Sequence, residues 1–570
     1  MKTPVAALLS LFLLSACTGP DAVDLALTGG RVVTVDADTP EGTAIAIRGD
    51  RVVLVGSDED VQALIGPDTE VIDLAGRLAI PGFIEGHGHF MGIGRAQMIL
   101  DLSKARTWDD IVAQVQAAVA ESEEGAWISG RGWHQEKWDE TPEGSVDGVP
   151  THQTLSAVSP RNPVILGHAS GHASFTNAEA LRLSGISAET PDPDGGEIVH
   201  DQRGEPTGLL RERAQGLVGR ARSQAQRGMT EDEAEVEALE QVRLASAEVL
   251  SKGITSFQDA GSGFNTIDRF RRLADAGDLP VRLYVMIRAS NESLAENLDA
   301  YRTIGAGDNH LTVRSIKRSI DGALGPHGAW LLEPYSDKPE SAGLNTADPA
   351  DVAETARLAL EHGFQLNVHA IGDRANREVL DIYESSFGGV DQDNRRWRIE
   401  HAQHLHPDDI GRFARLGVIA AMQGVHATSD GPWVLAKLGE QRAREGAYVW
   451  RSLWDSGAVV ANGTDAPVED VDPIPSFYAT VSRRVKDGSV FYPGQRLTRM
   501  EALQSYTLNN AYAAFEEELK GSLRVGKLAD VTVLSSDILS VPEEEILSAR
   551  IDYTIVGGKV LYARDTAQQN

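Results

Sequence analysis

The sequence predicts an α/β protein: a (β/α)8 TIM barrel, a small β-sandwich-like domain formed from both termini, and a long insertion after the first barrel strand. Three observations predict it. The middle of the chain alternates short apolar runs with helix-like stretches, the signature of a parallel sheet wrapped by helices. Both ends are rich in β-branched runs punctuated by Gly and Asp. The first two candidate barrel strands lie far apart in the chain, with more intervening residues than a compact domain carries as bare loop.

The candidate barrel strands end near Glu85, Asp259, Ile287, Asp321, His369, His401, Gln423 and Gly463, with helices expected over 351–363 and 407–416 among others. The terminal β domain is expected from 22–80 plus 516–565, its first part as an antiparallel sheet turning at Gly29-Gly30 and Gly49-Asp50. The barrel then occupies 81–515, with an inserted subdomain over about 100–245. That insertion holds Gly130-Arg131-Gly132-Trp133 and Asp194-Gly195-Gly196.

The chain has 570 residues, 41% hydrophobic and 24% charged, as expected of a globular enzyme with a large core. Lys and Arg number 53 against 84 Asp and Glu, a formal charge of −31. Such a balance repels phosphate backbones and argues against nucleic acid as a partner. Residues 1–16 read as a signal peptide: a short basic start, then an apolar run too short to span a bilayer. Leu14-Ser15-Ala16-Cys17 resembles a bacterial lipobox, with Cys17 as the lipidated residue. The expectation is a membrane contact by lipid anchor only. Thr18 after the cysteine favours the outer membrane, facing the periplasm. Cys17 is the only cysteine, so the mature chain has no disulfide to rely on.

Active sites of such barrels sit at the C-terminal ends of the strands. His87 and His89 close the first candidate strand and, two apart in extended chain, point the same way. Two converging imidazoles suit a divalent metal, although a lone His-x-His also fits two polar loop residues. His369 and His401 end consecutive candidate strands; each alone would more often be a structural histidine. Asp465 follows the last strand, as either a helix cap or a carboxylate that binds metal and takes a proton. Lys317 is repelled by metal as a cation, but as a carbamate it is anionic and can bridge two ions. Asp321 shares the face of Lys317 and either orients ligands or simply makes the turn before Gly322.

The order His-x-His, Lys, His, His, Asp on strands one, four, five, six and eight resembles the binuclear members of the amidohydrolase superfamily, over nearly the whole mature chain. Gly130-Arg131-Gly132-Trp133, Gly171 to Asn177, Asp194-Gly195-Gly196-Glu197, Asp321 to Gly325 and His369 to Asp373 resemble the long branch that includes N-substituted formamide deformylase. Glu85 stands where many members have Asp, and Gly424 where this branch often has Pro. The resemblance implies a small-molecule substrate and two divalent ions, zinc above all. His87, His89 and Asp465 would hold the more buried ion and His369 and His401 the other, with a Lys317 carbamate between. It implies hydrolysis of amide, N-acyl or N-formyl C–N bonds, with Asp465 as general base and then acid. His172, His426, Trp133 and Asp321 are the candidate substrate contacts. Members of the superfamily also hydrolyse esters and lactones, or isomerise, on the same fold. Two further alternatives are an inactive, ligand-binding envelope lipoprotein and a single-metal enzyme with unmodified Lys317.

Overall fold

The computed structural model describes residues 22–225, 230–388 and 395–564; Cys17 and the leader lie outside them. The centre of the molecule is a parallel barrel of eight strands: β1 (Phe83–Gly88), β2 (Ile254–Ser262), β3 (Arg282–Ile287), β4 (Leu311–Ser319), β5 (Gln365–Ala370), β6 (Arg398–His401), β7 (Ile419–Gln423) and β8 (Val460–Gly463). Each pairs in parallel with the next. The helices between them are set by their caps. Asp348 caps Pro349–His362, which has Pro at its first turn and Gly363 left-handed after its end. The helix Pro407–Leu416 repeats the device with His406 and Gly417.

The seam between β8 and β1 closes through the backbone and one carboxylate. Asp465 N donates to His87 O at 2.7 Å, and Glu85 Oε1 accepts from Thr464 N at 2.7 Å and His87 N at 3.1 Å. Only glycine fits here. A Cβ on Gly463 would stand 2.3 Å from Glu85 Oε1, and one on Gly86 2.4 Å from Asn462 O.

Two further sheets use both ends of the chain. One holds Leu25–Thr28, Ala44–Arg48, Arg51–Gly56 and Glu70–Asp73; the other runs Lys559–Ala563, Ile551–Val556, Val531–Leu534, Leu78–Pro81, Arg31–Val33, Glu41–Gly42. Leu27, Ile45, Val32 and Val533 belong to one shared core between them. Neither N-terminal portion is purely antiparallel, as the sequence had suggested. Leu25–Thr28 pairs in parallel with Glu70–Asp73, and Arg31–Val33 with Leu78–Pro81, because the chain crosses between sheets before returning. Arg282, opening β3, locks this module to the barrel through a buried, bidentate pair with Asp530 at 2.9 and 3.1 Å.

Between β1 and β2 lies a six-stranded mixed sheet from Leu100–Asp101 to Pro206–Glu212. Its own core packs Trp108, Trp133, Trp138 and Phe175. The helix Glu231–Ser251 then returns the chain to β2 and lies so close to Phe90–Ala96 that a Cβ on Gly94 would be 1.9 Å from Gln241 O. Among the described residues, no helix is long and apolar enough to cross a membrane.

Candidate metal centre

The C-terminal ends of the barrel strands bring His87, Lys317, His369, His401 and Asp465 together, all buried, with His89 half-buried at the edge. One donor atom from each of His87, His401 and Asp465 lies within 4.8 Å of the others. Asp465 Oδ1 stands 3.6 Å from His87 Nε2 and 3.3 Å from His89 Nε2. The His401 ring is 4.7 Å from that of His87 and 4.5 Å from that of His369. Lys317 Nζ lies 3.3 Å from His87 Nε2.

Outer partners fix which nitrogens face inward. His87 Nδ1 hydrogen-bonds Glu400 Oε2, and a carboxylate only accepts, so Nδ1 carries the proton and Nε2 presents a lone pair. His401 Nδ1 likewise meets Gln423 Oε1 at 2.7 Å, with the amide orientation set by Gln423 Nε2 donating to Ala421 O. Glu400 is held in turn by Arg398, which pairs with it at 2.6 Å and donates to Gly86 O at 2.7 Å. Burial opposes the charge on Glu400, yet Arg398 and His87 keep its carboxyl well below the usual range. Burial also resists ionisation of Asp465, but His89, His87 and His401 outweigh it and hold that carboxyl low. Desolvation makes all three inner imidazoles hard to protonate: His87 falls to about 4, and His369 and His401 fall well below their ordinary value.

His87 Nε2 and Asp465 Oδ1 are acceptors aimed at one another. His369 Nε2 and Asp465 Oδ1 are buried with no hydrogen-bond partner. Buried acceptors without donors are costly unless a cation lies among them. The residues therefore fit a divalent metal, and the mixed imidazole and carboxylate donors suit zinc chemistry.

Asp321 and Asp465 differ in role. Asp321 is fully buried and accepts from Trp330 N (2.9 Å), Ile371 N (3.0 Å) and Gly372 N (2.8 Å), with His369 Nε2 3.4 Å away. It ties the ends of β4 and β5 together and lies behind the histidine. Asp465 caps no helix; the next one begins after Asp472. It sits at φ 59, and His401 at φ 77, in the left-handed region that non-glycine residues rarely adopt. At His401 this kink breaks strand alternation, so Glu400 and His401 both reach the same cluster. The sequence reading missed Glu400 for that reason, and it separated His401 from His87.

The other candidates divide. His172 comes from the inserted sheet; its Nδ1 meets Glu212 Oε2 at 2.8 Å and its ring lies 4.9 Å from His369. Burial opposes its protonation, but Glu212, Asp465 and Asp321 raise it overall. His426 accepts from Gln403 at 2.9 Å and leaves Nε2 unpartnered beside the cluster. Trp133 does not line the central cavity: its Nε1 donates to Leu166 O at 2.8 Å within the core of the inserted sheet. An indole in a small mixed sheet is worth more as core than as pocket. Arg131, Arg213 and Arg288, which sequence reasoning passed over, do line that cavity. Their signal was position alone: Arg288 directly follows β3.

Comparisons with known proteins agree with this architecture. Over 563 residues the chain is 34% identical to the protein LONG AFTER FAR-RED 3 of Arabidopsis thaliana, covering 96% of this chain and 94% of that one. It is 28% identical over 565 residues to the N-substituted formamide deformylase of Arthrobacter pascens, covering 95% and 98%. The crystal structure of an uncharacterized metal-dependent hydrolase from Pyrococcus horikoshii shares the fold, with a TM-score of 0.72, 24% identity, and coverage of 91% and 99%. The family model described as "Amidohydrolase family" matches residues 70–562, from the edge of the terminal β module through the last strand. With barrel, histidines and buried aspartate all inside that span, the chain belongs to the amidohydrolase family.

Proposed function

We propose that this protein hydrolyses the C–N bond of small N-acyl or N-formyl amines at a centre of two divalent ions. The observation that carries the reading is the convergence of His87, His401 and Asp465, one donor atom of each within 4.8 Å of the others, with Asp465 Oδ1 buried and without a hydrogen-bond partner. His87, His89 and Asp465 would hold one ion and His369 and His401 the other, with Lys317 between them as a carbamate. A free ammonium at 3.3 Å from the metal-facing nitrogen of His87 would oppose the ions; a carbamate would join them. Zinc is the natural occupant of these donors. Such ions supply Lewis acidity, which activates water near neutral pH and polarises a carbonyl.

The chain's own groups do the rest. Asp465 takes a proton from the attacking water and delivers it to the amine nitrogen as the C–N bond breaks. His172, whose protonation Glu212 favours against burial, donates to the carbonyl oxygen as negative charge develops there. The name of the Arthrobacter relative, a deformylase of N-substituted formamides, supports a short acyl group. Ahead of the fold, the apolar run and Cys17 support a lipid-anchored enzyme of the cell envelope.

The test is metal content per chain, measured beside hydrolysis of N-acyl and N-formyl amines and of lactones. About two ions with amide turnover is the expected result. Turnover of lactones alone would move the activity to C–O bonds. No metal and no turnover after reconstitution with divalent ions and bicarbonate would leave a ligand-binding lipoprotein.

A further inference from the structure

The cavity over the metal cluster has a volume of about 610 Å³ and carries an excess of positive charge. Four arginines line it: Arg131 in Ile128–Trp133 and Arg213 just after Pro206–Glu212, both of the inserted sheet, Arg288 just after β3, and Arg318 at the end of β4. Arg318 Nη1 donates to Ala289 O at 3.1 Å, which ties it to the loop that bears Arg288. The Arg288 side chain lies over Gly261, where an added Cβ would be 3.1 Å from its Cδ and 3.5 Å from the Cβ of Lys317. That glycine lets the guanidinium run beside the catalytic cluster. Arg213 and Arg288 are exposed within the cavity and, among the described residues, their side chains have no hydrogen bond or ion pair.

No acid lining this cavity is left to neutralise them. Glu212 is taken by His172, Asp321 by three backbone amides, and Asp465 by the metal-facing histidines. Behind the wall, Asp351 interacts with Arg318. Burial lowers the pKa of Arg318, Asp351 offsets part of that, and Arg288 and Arg213 lower it further. A chain of net charge −31 thus concentrates uncompensated cations in one cleft, where low-dielectric walls focus their field.

A second chamber of about 50 Å³ adjoins the first and shares His172, His369, His401 and Asp465 with it. Leu324, Pro326, Ile371 and Trp433 give it an apolar wall opposite polar groups that include His426, Gln403 and Asp430, and its size suits a short acyl group. We infer that the substrate is an anionic amide: a short acyl group seated in the apolar chamber, on an amine that carries a carboxylate against Arg213, Arg288 and Arg318, as in an N-acylated amino acid. Guanidinium forks match a carboxylate in geometry as well as charge. The inference rests on the C–N hydrolysis proposed above.

The test compares N-acetylphenylglycine with N-acetylphenylglycinamide, which differ only in charge and one heteroatom. Hydrolysis is measured on the metal-loaded enzyme, and binding by calorimetry on metal-loaded Asp465→Asn. The acid is expected to exceed the amide by about tenfold or more in kcat/KM, through KM, and in affinity. Arg288→Met and, separately, Arg213→Met should bring that ratio toward one. A wild-type ratio of one or less, or a ratio unchanged in both variants, overturns the inference. So does failure of the acid to bind. If the acid binds in preference, Arg288→Met removes the preference, and neither compound is cleaved, then the carboxylate site stands and C–N hydrolysis falls.

Discussion

The two sides of the active cleft treat charge in opposite ways. On the barrel side every ionic group is committed to another part of the protein. Glu400 is held between Arg398 and His87, Asp321 by three amides, and Glu85 by Thr464 and the His87 backbone. On the side formed with the insertion, Arg213 and Arg288 have no partner among the described residues, and His172 has one carboxylate. The difference follows from solvent. A buried charge without a partner costs several kcal/mol, so the barrel side is satisfied internally and rigid. The cleft wall keeps its charges hydrated until a ligand replaces the water. On the proposed reading, geometry is set by the barrel interior and selectivity by the cleft wall, which the insertion and the ends of β3 and β4 build together, in line with the division between scaffold and loops in barrel enzymes.

Substitutions on the two sides should separate these roles. The largest effect is expected from Asp465→Asn, which removes the proton acceptor: kcat should fall by about 10³-fold with the thermal midpoint nearly unchanged. Turnover close to wild type would remove Asp465 from the chemistry. Glu400→Gln comes next, because it strips the charge facing Arg398 inside the barrel. A stability loss of about 3–5 kcal/mol is expected in chemical denaturation, with metal affinity weakened by about 10–100-fold. Adding Arg398→Met should recover stability and leave metal affinity poor; recovery of both would show Glu400 to be a packing residue only. His172→Gln, on the insertion side, should cost about 10²-fold in kcat and little stability. An equal loss of melting temperature would make it part of the barrel's framework instead.

The smallest effect concerns Glu85 at the seam. Burial pushes its carboxyl from 4.5 up to about 8, so the folded chain keeps a proton there that the unfolded chain releases. Stability from this group therefore falls as pH rises between those values, by less than about 1.4 kcal/mol per pH unit, and is level above them. Glu85→Gln should flatten that slope in urea titrations run at several pH values. A slope identical to wild type would mean that the three donors around Glu85 stabilise its charged form after all.

The barrel was legible because its strands are buried on both faces and read as short apolar runs between amphipathic helices. His87, Lys317, His369, His401 and Asp465 were legible because each closes or follows such a run. Alternation failed where the backbone turns left-handed, at His401, which hid Glu400. Trp133, a candidate contact that could equally be core, packs in the core of the inserted sheet, which a small sheet needs. The arginines were hidden because a charge at a strand end is ordinary in sequence. Only the folded chain shows that four of them share a cleft with no acid to spare.

The strand Leu78–Pro81 has one more consequence, for synthesis. It sits inside its sheet, with Arg31–Val33 on one side and Val531–Leu534, from the opposite end of the chain, on the other. As the polypeptide leaves the ribosome, this strand must wait with one edge open until Val531–Leu534 has been made. An open edge is a template for pairing with other chains, and late closure of so long a loop slows folding. A truncation that removed Val531–Leu534 would therefore leave an adhesive edge at the heart of the terminal module, so an early segment of the chain stays exposed to misassembly until a far later one arrives.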